Sequence, residues 1–214
     1  AYYLGGKYST AVEEFAKLAD ANISAEMRTR CQFMIGECKY QLGDYENAKL
    51  SYTASTRSMP NNPWVAHSLY RQAWCAYKTN KPNEFAEIGA LFQAKFSRHK
   101  LMRPMRYLMG HSFLGNNEYD EAIKYFKAIV FQEPYDLIWD AALARSMECY
   151  SKKQDYNSIV TICQYLLKKS KSKSTSWKPA VYIYLADAYY MKGDIEESKR
   201  VFERVLKELS LIHI

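Results

Sequence analysis

GDYENAKLSY, residues 43–52, recurs along the chain as GKYSTAVEEF at 6–15, NEYDEAIKYF at 117–126, QDYNSIVTIC at 154–163 and GDIEESKRVF at 193–202. The third residue of each phrase falls on a ladder of step 37: Tyr8, Tyr45, Tyr119 and Tyr156. Pro82 fills the vacant rung in a weaker copy, NKPNEFAEIG at 80–89, and Ile195 joins after a two-residue insertion. Self-similarity at a fixed period marks a repeat architecture, in which each unit buries its apolar face only by stacking on its neighbours.

Each copy reads as two helices. After the turn, apolar residues recur at spacings of three and four, as in Tyr119, Ala122, Ile123, Phe126, Ile129 and Val130. Before it the same spacing runs through Tyr107, Gly110, Phe113 and Leu114. Breakers separate the copies: Pro60 to Pro63, Pro134, and the Ser/Lys run ahead of Pro179. Pro63, Pro104 and Pro179 fall at predicted helix starts, where a missing N–H costs nothing. Strand-type alternation is absent, so the chain is predicted to be all-helical.

A second column supports the register. Ala1, Cys38, Cys75, Ser112 and Cys149 follow the same step, and Ala188 follows after the insertion; all are small, as close helix approach requires. This column assigns three cysteines to packing rather than to redox or metal chemistry. Cys163 shares a column with Phe15, Tyr52, Phe126 and Phe202 and is also expected in the core, whereas Cys31 has no column. An odd set of five cysteines without a C-x-x-C pair fits neither a zinc site nor a disulfide framework.

These columns resemble the tetratricopeptide repeat over nearly the whole chain. The family's Leu-Gly pair, Tyr, Gly-Asp-Tyr turn, Ala, aromatic and closing Pro appear as Ile35-Gly36, Tyr40, Gly43-Asp44-Tyr45, Ala48, Tyr52 and Pro60. The fourth copy supplies Met109-Gly110, Phe113, Tyr119, Ala122, Phe126 and Pro134. The resemblance implies a right-handed superhelical solenoid of antiparallel helix pairs, with about five complete repeats and a partial first one. Their expected bounds are 1–24, 25–61, 62–98, 99–135, 136–174 and 175–210, with 211–214 as a non-native or disordered tail. The third copy, with Pro82 at the turn and Phe85 in the Ala column, is expected to carry a distorted helix pair. The register places almost all of the first helix of copy one ahead of Ala1, so Val12, Phe15 and Leu18 are expected to lie partly uncovered in this chain. The last helix is expected to end at Glu208 or Leu209. The long step and the phrase MPNNPWVAHSLYRQAWCAYK also resemble bacterial envelope-associated repeat proteins of the Tol–Pal and outer-membrane-assembly type. Free thiols favour a reducing compartment, so cytoplasmic and envelope locations both stay open.

The resemblance further implies that first helices line a concave groove. Phe33, Glu37 and Tyr40 share such a face, followed by His67, Tyr70, Trp74 and Tyr77 with Lys78 beside them, then Tyr107 and His111. Tyr and Trp offer broad apolar contact and a polar tip at small entropic cost. The expected partner is therefore an extended peptide or a helix of another protein. The competing reading makes these rings structural, covering thin Ala-rich helices. Glu37, Trp74 and His111 occupy the place of the recurring Asn in the family's carboxylate clamp, which speaks against that mode. Beyond copy four the lining changes to Ala144, Glu148 and Lys152, then Ile183, Asp187 and Tyr190.

Formal charge is +7. The basic stretches are KKSKSKSTSWK at 168–178 and FSRHKLMRPMR at 96–106, the second carrying Arg98, Lys100, Arg103 and Arg106. They read as solvated inter-repeat loops or, alternatively, as contacts for nucleic acid or anionic membrane. No phosphate loop, dinucleotide fingerprint or H-E-x-x-H motif is present, and His67, His99, His111 and His213 are scattered singly. The expectation is a binding protein rather than an enzyme, without metal or cofactor.

Overall fold

The computed structural model describes residues 2–58, 62–132, 134–169 and 177–212. Ala1, Pro60, His213 and most of the Lys/Ser run at 168–178 lie outside them. The described residues form eleven helices and no strand. In order they are α1 Tyr8–Asp20, α2 Ala25–Gln41, α3 Tyr45–Ser58, α4 Val65–Lys78, α5 Pro82–Phe96, α6 Met102–Gly115, α7 Tyr119–Val130, α8 Leu137–Lys152, α9 Tyr156–Lys169, α10 Lys178–Met191 and α11 Ile195–Ile212. The fold is an all-α helical-repeat solenoid built of two compact units, residues 1–112 and 113–214. In the first unit α1 through α5 pack each on the next; in the second α7 through α11 do so.

Every ladder residue opens the second helix of its pair: Tyr8, Tyr45, Pro82, Tyr119, Tyr156 and Ile195 begin α1, α3, α5, α7, α9 and α11. The turn before each helix is built the same way. Two residues ahead of the ladder the backbone is left-handed, at Gly6, Gly43, Asn80, Asn117, Gln154 and Gly193. The next amide then reaches back to a carbonyl five residues earlier, as Asp44 to Lys39 at 3.0 Å and Asp155 to Tyr150 at 2.9 Å. This closure satisfies carbonyls that a helix end leaves unpaired and reverses the chain. Asp44 and Asp155 then cap the following helix, accepting from the amides of Asn47 and Ser158.

Gln154 has a φ of 57° in a conformation that costs a non-glycine residue about 1–2 kcal/mol. The larger unfolded-state entropy of glycine offsets part of this. Gln154→Gly is therefore expected to stabilise the protein by roughly 0.5–1 kcal/mol in urea unfolding; a destabilised variant would refute this account of the turn.

The third copy is not distorted. Pro82 sits in the first turn of α5, where it displaces no hydrogen bond, and both α4 and α5 are regular helices. Phe85 is accommodated in a column whose members Ala11, Ala48, Phe85, Ala122, Ile159 and Ser198 are all buried. The last helix also differs from expectation, running past Leu209 to Ile212. In α1, Val12 and Phe15 are half-buried and Leu18 is exposed.

In the small column Cys38, Cys75, Cys149 and Ala188 are buried, while Ser112 is half-buried. All five cysteines are buried and free. Burial pushes the thiols of Cys75 and Cys163 up to about 12 and that of Cys149 to about 11, so at neutral pH they act as small apolar groups.

Candidate functional site

The candidate groove residues of the first unit separate into three groups. The first is core. Phe33 is buried against Tyr52, Cys75 and the ring of Trp64, 5.2 Å away. It therefore leaves the lining, because Trp64, from the approach to α4, covers it.

Glu37 also leaves the lining. Its side chain is buried, and its Oε1 accepts the Tyr52 hydroxyl at 2.7 Å. Arg71 of the next copy approaches both oxygens, with Nε 2.6 Å from Oε1 and a terminal nitrogen donating to Oε2 at 2.6 Å. This geometry is bidentate, the strongest form of carboxylate pairing. Burial and the Glu37 charge hold the Tyr52 hydroxyl protonated far above the ordinary range. The Arg71 guanidinium also covers the ring of Tyr40, 5.3 Å from its centroid, and Tyr40 meets Tyr45 edge-on. Carboxylate, hydroxyl and guanidinium thus join copy two to copy three and are not available to a ligand.

The second group is a continuous strip of half-buried rings on α4 and α6. Tyr70 meets Trp74 edge-on at 6.5 Å, and Trp74 meets Tyr77 at 5.8 Å. Tyr77 crosses to His111 at 5.8 Å, where its hydroxyl and His111 Nδ1 share a hydrogen bond of 2.9 Å. His111 then meets Tyr107 at 6.1 Å. Helical spacing of three and four puts Tyr70, Trp74 and Tyr77 on one face of α4, and spacing of four puts Tyr107 and His111 on one face of α6. Lys78 is exposed at the end of the α4 row.

His67 belongs to the third group, apart from the strip. Its ring contacts Trp64 at 5.9 Å and His99 at 5.7 Å. His99 in turn packs on Phe92 and Phe96 and accepts the Leu101 amide at Nδ1. Burial, with His67 and Lys100 nearby, lowers its pKa below the usual imidazole value. This packing divides the four basic candidates: Arg98 and Lys100 are exposed on the α5–α6 connection, while Arg103 and Arg106 are half-buried on α6.

In the second unit, Ala144, Glu148 and Asp187 line a cavity of roughly 240 Å³ with Met147, Tyr184 and Met191. Glu148 pairs with Arg145 at 2.6 Å. Lys152, Ile183 and Tyr190 are exposed. Among the described residues, no cluster of three or more His, Cys, Asp or Glu side chains could hold a metal ion. No described helix is long and apolar enough to cross a membrane.

Two tetratricopeptide-repeat models match, one over residues 29–62 and 104–130, the other over 180–208. No curated protein sequence matches the chain. Among solved structures it is similar to the C-terminal part of a TPR repeat-containing protein from Cytophaga hutchinsonii, with TM-score 0.70 and 14% identity over 98% of this chain and 77% of that one. It is also similar to BtubC from P. vanneervenii, with TM-score 0.62 and 14% identity over 97% and 90% of the two chains. MamA from Desulfovibrio magneticus gives TM-score 0.58 and 15% identity over 89% and 98%. At these identities the likeness concerns the fold, which in general serves as a protein–protein interaction scaffold.

Proposed function

Because the chain is a tetratricopeptide-repeat protein, we propose that it holds an extended peptide or a helix of another protein on the first-helix face of residues 1–112. The unbroken ring strip from Tyr70 through Trp74, Tyr77 and His111 to Tyr107 carries this reading. Its rings are half-buried, each packed against its neighbours in the strip. Such rings pay little ordering entropy on binding and supply large apolar area. The core beneath them is filled independently by Ala73, Ala76, Phe92, Met105 and Leu108.

Peptides selected from a display library against the full chain provide the test. Replacing both Tyr70 and Trp74 by Ala is expected to weaken their binding by about 30-fold or more, as for central aromatic anchors. Circular dichroism of the variant should retain the helical signal. Undiminished binding by a folded double variant would remove the groove assignment.

A further inference from the structure

Within residues 113–214, helices α9, α10 and α11 enclose a cavity of about 490 Å³. Its floor is apolar, made by the buried Leu185 and Val201 with the half-buried Leu167. Its charges are uneven. Arg200 is already engaged, donating to Glu197 at 2.5 Å, and Glu197 is the only carboxylate among the described lining residues. Lys168 and Arg204 stand exposed at the rim, and neither makes an ion pair or hydrogen bond with a described residue.

The surrounding helices leave these two cations without a rival. Helix α9 contains no Asp or Glu. Asp187, the one acid of α10, lines the other cavity with Glu148. On α11, Glu196 is held by Lys199 at 2.9 Å, and Glu203 lies outside the lining.

Hydrogen bonds set the register of the three helices. Tyr156, which opens α9, and Met191, which closes α10, line the same smaller cavity, so α9 and α10 run antiparallel. Gln164 Nε2 donates to the Tyr189 hydroxyl at 2.9 Å. From that bond α9 runs on four residues to Lys168, while α10 runs back seven residues to Tyr182. On the other flank Ser198 Oγ donates to the Ala186 carbonyl at 2.9 Å, after a turn that reverses the chain. Arg204, six residues past Ser198, therefore comes level with Tyr182, four residues ahead of Ala186. Lys168, Tyr182 and Arg204 thus gather at one end of the cavity, and the neutral Glu197–Arg200 pair occupies the other. The Tyr182 hydroxyl makes no hydrogen bond with a described residue and is free to donate.

Two cations and a hydroxyl, one from each helix, suit an anion that accepts from several sides. A phosphate monoester carries nearly two negative charges and three acceptor oxygens, and a guanidinium can meet two of those oxygens at once. The volume lies in the range that encloses small organic ligands, which leaves the apolar floor for a group attached to the phosphate. We propose that this cavity binds a small phosphate monoester with an aromatic or aliphatic substituent. Lys168, Arg204 and the Tyr182 hydroxyl hold the phosphate, and Leu167, Leu185 and Val201 take the substituent. The site does not depend on the ring strip of residues 1–112.

Calorimetric titration of the full chain with phenyl phosphate at about 50 mM salt tests this, with benzenesulfonate as a singly charged control. Phenyl phosphate should bind with a Kd of about 1 mM or tighter, and benzenesulfonate about fivefold more weakly. Arg204→Ala and Lys168→Gln should each weaken phenyl phosphate about fivefold or more with the helical signal intact, and Tyr182→Phe about threefold. Lys199→Gln removes an equal charge from α11 outside the cavity and should change binding by less than about twofold. Absence of binding, or equal binding of benzenesulfonate, would overturn the proposal. Equal losses in Lys199→Gln and Arg204→Ala would also overturn it, by showing general attraction to a basic surface. Tighter binding of a phosphopeptide, a single-stranded oligonucleotide or anionic vesicles, lost with Arg204→Ala, would reassign the cations to that ligand and overturn it as well.

Discussion

Arg71→Ala is expected to destabilise the protein by about 3 kcal/mol, as measured by urea unfolding. The buried group is Glu37, whose side chain is 8% exposed, whereas that of Arg71 is 31% exposed. Removing the guanidinium leaves an enclosed carboxylate that still accepts the Tyr52 hydroxyl but has lost its counter-charge. Breaking such a pair typically costs about 3–5 kcal/mol, and the partial exposure of Arg71 places this case at the lower end. Tyr40 also loses its cationic cover, so the junction between copies two and three loosens on both sides. Replacing both members, Glu37→Gln with Arg71→Met, should recover much of the loss, because the uncompensated charge is then gone. A loss below about 1 kcal/mol in Arg71→Ala would mean that the pair behaves as a surface ion pair.

Gly36→Ala is the second large effect, and it acts on the same tyrosine. A Cβ on Gly36 would lie 2.6 and 2.7 Å from Tyr52 Cε1 and Cδ1. The ring has no room to withdraw: it is fully buried, packs on Phe33 at 5.5 Å, and is tethered through its hydroxyl to Glu37. Overpacking of this kind costs about 1–3 kcal/mol. The gain in helix propensity from Gly to Ala, up to about 1 kcal/mol, offsets part of it. A net loss of about 2 kcal/mol is therefore expected. In a Tyr52→Ala background the same substitution should become neutral or stabilising, since only the propensity gain remains. An unchanged penalty in that background would locate the strain elsewhere. Because Gly36 abuts Tyr52, and Tyr52 and Arg71 share the Glu37 carboxylate, their variants will not combine additively.

Much of the fold was legible because the repeat constrains backbone and packing together. The 37-residue ladder marked the opening residue of every second helix, and the small column identified buried positions in both units. Where reading by column failed, a residue from another copy or connection intervened. Phe33, Tyr70 and Tyr107 share one column, yet only Phe33 is covered by Trp64 and enters the core. Glu37 looked like a groove acid because its partner lies 34 residues away in the next copy, outside any local helical pairing rule. His67 was assigned to the strip, but the α5–α6 connection brings His99 against it. Pro82 suggested distortion at a place where proline fits the first turn. The candidate face is therefore narrower than its columns and is concentrated on α4 and α6.

The buried thiols also make the protein its own reporter. Cys31 and Cys38 lie on α2, Cys75 on α4, Cys149 on α8 and Cys163 on α9, all shielded and protonated in the closed stack. A soluble alkylating reagent can reach each only when its surrounding helices part. The sequence in which these five sites become modified, resolved by peptide mass, would therefore chart which stretches of the array breathe first and which hold until the whole chain lets go.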